Sequence, residues 1–145
     1  MALVDMGVRV LSSRLPKKLS PKTHAIIDYA TAGSFLLMVP ILWKRNRRAA
    51  IAALTCGAVE TTTAMLTDYP GGIAEVISFP THGRIDAGFA GVIASLPSLM
   101  AFSKDWPSVF FRAQGLTLAA VTGMTDFEGG SEEERGRFRR RGRAA

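Results

Sequence analysis

The sequence predicts an all-α fold, a four-helix transmembrane bundle built from two tandem two-span hairpin repeats. Three observations predict it. Four apolar runs lie between Ala25 and Met124, each near the length a helix needs to cross a bilayer core. Charge gathers at the chain ends and in the short stretches between the runs, as it does in small membrane proteins. Finally, the motif Thr23-His24-Ala25-Ile26-Ile27-Asp28 recurs as Thr81-His82-Gly83-Arg84-Ile85-Asp86, 58 positions on, and the two copies hold both histidines of the chain.

Composition narrows the function classes. At 145 residues the chain suits one domain. Hydrophobic residues make up 48 % and the net charge is +6. A basic balance can mark a nucleic-acid protein, but here most cations flank apolar runs, so a lipid bilayer is the expected partner and nucleic acid is not. The single cysteine, Cys56, excludes an intrachain disulfide and a CxxC metal site. It sits in an apolar run and reads as a small buried hydrophobe. No secretory signal pattern is visible in the first 20 residues.

The chain opens with a basic segment, 1–22. Its apolar positions suit either an amphipathic surface helix or a disordered tail. Arg14, Lys17, Lys18 and Lys22 form a collar, and Pro16 and Pro21 bar a continuous helix through it. The membrane domain, 23–127, follows. Its first run, Ala25 to Trp43, contains Asp28 and a kinking Pro40, and ends at Lys44, Arg45, Arg47 and Arg48. The second, Ala49 to Leu66, is rich in Ala and Thr and carries Glu60. Tyr69-Pro70-Gly71-Gly72 then signals a turn. The third run, Asp86 to Phe102, contains Pro97. The fourth, Ser108 to Met124, carries Arg112 and follows Pro107 at a helix first turn. Residues 128–145 read as a disordered basic tail with six arginines. A soluble bundle would need a polar face on every helix, and Phe35 to Leu42 has none.

Four spans place both termini and the middle loop on one side, with 12 of the 18 cations. The positive-inside tendency makes that side cytoplasmic. The expected location is therefore the cell membrane, multi-pass, with both termini in the cytoplasm.

The duplication runs past the motif. At the fixed offset of 58, positions 23–69 align with 81–127 and give nine identities over 47 positions, including Gly57/Gly115, Thr67/Thr125 and Asp68/Asp126. Two spans per repeat give both repeats the same orientation, with a pseudo-twofold axis along the membrane normal. A T-H-x-x-I-D start, a proline within the apolar run and a T-D-(Y/F) end resemble the SPW-repeat group of small bacterial membrane proteins. That resemblance implies an integral membrane protein with paired spans and brings no established activity. The Ser-Pro-Trp that names the group is absent: the corresponding stretches read Met38-Val39-Pro40-Ile41-Leu42-Trp43 and Ser95-Leu96-Pro97-Ser98-Leu99-Met100.

The repeat places His24, Asp28, Asp68, His82, Asp86 and Asp126 at one membrane face. Histidine and aspartate at i and i+4 share a helix face. His24, Asp28, His82 and Asp86 are therefore candidate metal ligands, since imidazole and carboxylate suit Zn²⁺, Mn²⁺ or Fe²⁺. The competing expectation is a structural polar clasp. In it Thr23 and Thr81 cap helix N-termini, and the histidines bond to Thr67-Asp68 and Thr125-Asp126 at the end of the neighbouring helix. Glu60 is a candidate intramembrane acid, with Arg112 as a candidate partner. The leading expectation is a structural or interaction protein, with a homo-oligomer as an option. The alternative is a small transporter or metal- or ion-binding membrane protein using the His/Asp cluster. No catalytic nucleophile–base pair is visible, so an enzyme is not expected, nor any cofactor beyond a metal ion.

Overall fold

The computed structural model describes residues 18–127. The expected amphipathic segment before residue 18 and the expected disordered tail 128–145 lie outside the described residues. The described chain is mostly helical, in agreement with the all-α expectation. Helix α1 spans Pro21–Trp43, α2 Arg47–Leu66, α3 Phe79–Leu99 and α4 Pro107–Met124.

Each boundary has a local cause. Ser20 caps α1 by accepting from the Thr23 amide at 3.2 Å, with Pro21 at the first helical position. Asn46 caps α2 through Ala49 N–H at 3.0 Å. Its side-chain amide also donates to Asp105 at 2.7 Å, which ties together the two loops at the far end of the bundle. Pro80 lies in the first turn of α3 and Pro107 in the first turn of α4. Pro40 and Pro97 lie inside their helices, as expected. The capping role expected for Thr23 and Thr81 is corrected. The caps are Ser20 and Ser78, and each threonine hydroxyl merely meets its serine, at 3.0 and 2.8 Å. These serines are themselves 58 apart, an identity just upstream of the duplicated motif.

Helices α1 and α2 form one hairpin, and α3 and α4 the other. Gly57 and Gly115, again 58 apart, permit the close approach within each pair. A Cβ at Gly57 would meet Leu36 at 2.7 Å, and one at Gly115 would meet the Ala90 carbonyl oxygen at 2.8 Å. The far half of the bundle is filled by Phe35, Leu42, Ile93, Phe102, Phe111 and Leu118. Phe35 crosses between the hairpins to touch Phe110 and Phe111, at ring separations of 5.3 and 5.7 Å.

The near end holds two short parallel pairings absent from the all-α expectation. Strand β1 (Thr67–Asp68) pairs with β2 (Ile77–Ser78), and Leu19 bridges Thr125. Thr67 and Thr125, like Leu19 and Ile77, differ by 58, so the two pairings exchange under the same offset. The segment entering each hairpin beyond Leu19 or Ile77 thus runs beside the segment leaving the other. That crossing delivers the first turns of α1 and α3 to one point.

Two helices, Pro21–Trp43 and Arg47–Leu66, are long and apolar enough to cross a membrane; a buried core helix passes the same test. Beside the apolar core, large apolar side chains are exposed and several ionisable ones are buried. Leu37, Leu99, Val109 and Leu116 are 68–75 % exposed, while His24, Asp28, Glu60, His82 and Asp86 are buried.

Candidate metal centre

His24 lies in the first turn of α1 and Asp28 one turn further on; His82 and Asp86 repeat the arrangement on α3. The four side chains meet between the hairpins, none more than 1 % exposed. His24 Nε2 is 3.0 Å from Asp86 Oδ2 and 3.4 Å from Asp28 Oδ1. His82 Nε2 is 3.1 Å from Asp28 Oδ2 and 3.0 Å from Asp86 Oδ2. Every residue of the quartet therefore touches the opposite hairpin. The four sequence-predicted ligands converge.

The outward ring nitrogens decide how these contacts read. His24 Nδ1 lies 2.8 Å from Thr125 Oγ1, and His82 Nδ1 lies 2.8 Å from Thr67 Oγ1. Each of those hydroxyls already donates its one proton to a helix carbonyl, Thr125 to Val121 and Thr67 to Thr63, both at 2.7 Å. A threonine has a single O–H, so it must accept from the imidazole. Both histidines thus carry a proton on Nδ1 and turn Nε2 toward the carboxylates. A neutral imidazole in that tautomer would aim a lone pair at oxygens about 3 Å away. The arrangement requires a positive charge or a shared proton there: a second proton on a ring, a proton on a carboxyl oxygen, or a metal ion. His82 Nε2 and Asp28 Oδ1 lack an aligned hydrogen bond despite their close neighbours.

The donor set fits a metal. One ligand atom from each residue can be chosen so that all lie within 4.8 Å of one another. Two donors on opposite sides of an ion are at most roughly 4.4 Å apart, twice a common metal–ligand length, so the four side chains draw in when an ion binds. A second hydrogen bond on the far ring nitrogen is the usual support for a metal-bound histidine.

The surroundings seal this point. Phe79 packs edge-on to His24 at 5.4 Å, Phe127 at 5.3 Å, and the two phenylalanines lie 4.7 Å apart. A Cβ at Gly83 would strike the Phe127 ring at 2.6 Å, so the missing side chain is what lets that ring close over the centre. Tyr69 donates to Asp28 Oδ2 at 2.9 Å. Burial, and after it the Asp28 carboxylate, pushes the Tyr69 phenol above its ordinary range and keeps it a donor. Its counterpart at the offset is Phe127, so Asp86 receives no such bond.

The remaining candidates divide. Glu60 is buried and interacts electrostatically with Asp86, Asp28 and His82. Arg112, offered as its partner, is exposed. Of the residue pairs expected to receive the histidines, the structure brings Thr67 and Thr125 to the rings. Thr23 and Thr81 meet serines, Asp68 lies in β1, and Asp126 is exposed with its amide donating to Leu19 O at 3.3 Å. The histidines bond to Thr67 and Thr125 as expected, but each across to the other hairpin and not within its own. Sequence reasoning missed Tyr69, Phe79 and Phe127 as the cover. The repeated T-D-(Y/F) end was the available signal for two of them.

Comparison with family models, characterised proteins and solved structures gives no match for this chain.

Proposed function

We propose that this chain is a four-span integral membrane protein that binds a divalent transition-metal ion between its two hairpins, through His24, Asp28, His82 and Asp86. The observation that carries the metal reading is the tautomer. Thr67 and Thr125 commit both Nδ1 atoms as donors, which leaves two Nε2 atoms and two carboxylates facing one point. A divalent ion balances two carboxylates with two neutral imidazoles, and a neutral centre is what an apolar surrounding tolerates. Imidazole and carboxylate together suit zinc, manganese or iron(II).

The membrane reading is supported by the exposed apolar surface of all four helices and by the two helices of span length. The distribution of cations favours both termini in the cytoplasm, which puts the centre near the cytoplasmic face. The resemblance to the SPW-repeat group agrees with paired spans. A second reading, favoured by the 3.0 Å hydrogen bond between His24 and Asp86, is a metal-free clasp in which both rings are doubly protonated and simply hold the hairpins together.

Metal content of the purified protein separates the two. The metal reading expects one divalent ion per chain in the wild type, and none in His24→Ala or His82→Ala. A wild type that takes up no ion from Zn²⁺, Mn²⁺ or Fe²⁺, with both variants merely less stable, leaves the clasp.

A further inference from the structure

The centre has a feature outside the fourfold set. Glu60 is 3 % exposed, and its Oε1 has no hydrogen-bond partner. It lies on α2 seven residues, two helical turns, before Thr67, the residue that closes the helix and holds His82, so the two lie on the same side of α2. Its electrostatic neighbours are Asp86, Asp28 and His82. Thr122, one turn before Thr125 on α4, has a buried hydroxyl that is likewise unpartnered, as is Asp28 Oδ1. Buried polar atoms are almost always bonded to protein, water or an ion. Among the described residues, all four unpartnered buried side-chain atoms belong to the quartet or to residues within two turns of its threonine supports. At the offset of 58 the counterpart of Glu60 is Leu118, buried and apolar. The counterpart of Thr122 is Ala64, also buried and apolar, so each repeat adds one polar group beside the centre, and the one that carries a carboxyl is on α2.

Resting on the metal reading, we propose that the bound cation keeps a water molecule and that Glu60 holds it. The ion then has at least one ligand position not filled by protein. A closed four-ligand site is the structural kind, while a site with a water retains an exchangeable position. A carboxyl oxygen beside such a position accepts a hydrogen bond from the water, and an N₂O₂ donor set with added water suits an ion of higher coordination number such as Mn²⁺. Glu60 is a positioning residue in this account, since it acts on the ion through the water.

The test uses the full chain loaded with Mn²⁺ alone, with electron paramagnetic resonance recorded in ordinary water and in ¹⁷O-enriched water. The wild type should show ¹⁷O broadening of the Mn²⁺ lines. Glu60→Leu, which copies the repeat counterpart, should still bind one ion and lose the broadening. Glu60→Gln keeps an acceptor oxygen and should retain it. If Glu60→Leu does not fold, Glu60→Met provides the same comparison. Bound Mn²⁺ without broadening in the wild type, or undiminished broadening in the apolar variant, overturns the role of Glu60 and leaves the metal reading standing. A wild type that takes up Zn²⁺ or Fe²⁺ but not Mn²⁺ overturns the water-bearing site, and one that takes up none of the three overturns the metal reading itself.

Discussion

Thr67→Val removes one hydroxyl and almost no volume, and it tests the tautomer argument directly. Thr67 is fully buried, as is His82 to within 1 %. Water therefore cannot replace the lost acceptor, and His82 Nδ1–H is left unpaired. Leaving such a group unsatisfied costs about 1–3 kcal/mol. Loss of an outer partner of a metal-bound histidine weakens metal binding by about 10–100-fold. At about 1.4 kcal/mol per tenfold, the two ranges coincide. Competition of the purified protein against a fluorescent Zn²⁺ chelator reads the affinity. Thr67→Ser, which keeps the oxygen, should bind close to wild type. Thr125→Val, the counterpart at the offset, should lose as much as Thr67→Val. If Thr67→Val binds as tightly as wild type, or if Ser and Val are equally impaired, the histidine is not held by this bond.

Tyr69→Phe gives Asp28 the surroundings that Asp86 already has beside Phe127. Removing a hydrogen bond to a charged group should cost about 1.5–3 kcal/mol in denaturant unfolding. Because the phenol pKa is raised in the fold, that advantage is full below the ordinary phenol value and is lost as pH rises above about 10, where the unfolded chain ionises first. Gly83→Ala drives a methyl into the Phe127 ring and should destabilise by about 1–3 kcal/mol, whereas Gly88→Ala meets open space and should be neutral or stabilising by up to about 1 kcal/mol. Equal melting temperatures for the two alanine variants would contradict the sealing role of Phe127. Metal entry should release protons from the two Nε2 positions. Calorimetry in buffers of different ionisation enthalpy should therefore give different apparent enthalpies, and buffer-independent heats would contradict the proton-for-metal exchange.

The architecture was legible because its signals are local. Apolar runs, cation clusters and prolines mark helix limits within a few residues, and the observed α2 and α4 begin at Arg47 and Pro107, close to the expected starts. The convergence of His24, Asp28, His82 and Asp86 followed from the offset of 58, since equal orientation puts equivalent residues at one end. What the sequence hid was the crossing. Nothing in the residues of one hairpin says whether His24 bonds to the threonine ending its own α2 or to the one ending α4. That choice is made by the backbone bridges Leu19–Thr125 and Thr67–Ile77, each formed between residues that have no side-chain signature for pairing. Helix α3 was read too short for a related reason. Its first two turns contain Pro80, His82 and Arg84, polar or helix-limiting residues that look like a loop until their partners across the bundle are known. The caps are Ser20 and Ser78 and not Thr23 and Thr81 because the helices begin well ahead of the apolar runs that start at Ala25 and Asp86.

The central claim is that an ion lies where four side chains from two hairpins meet. Diffraction at the absorption edge of Zn²⁺ or Mn²⁺ from crystals of the loaded protein tests it most directly. The account predicts one anomalous peak per chain, about 2.0–2.2 Å from His24 Nε2, His82 Nε2 and a carboxylate oxygen of both Asp28 and Asp86, with Nδ1 of each ring still on Thr125 or Thr67. A peak elsewhere, or none while the imidazoles and carboxylates remain paired with each other, would contradict it.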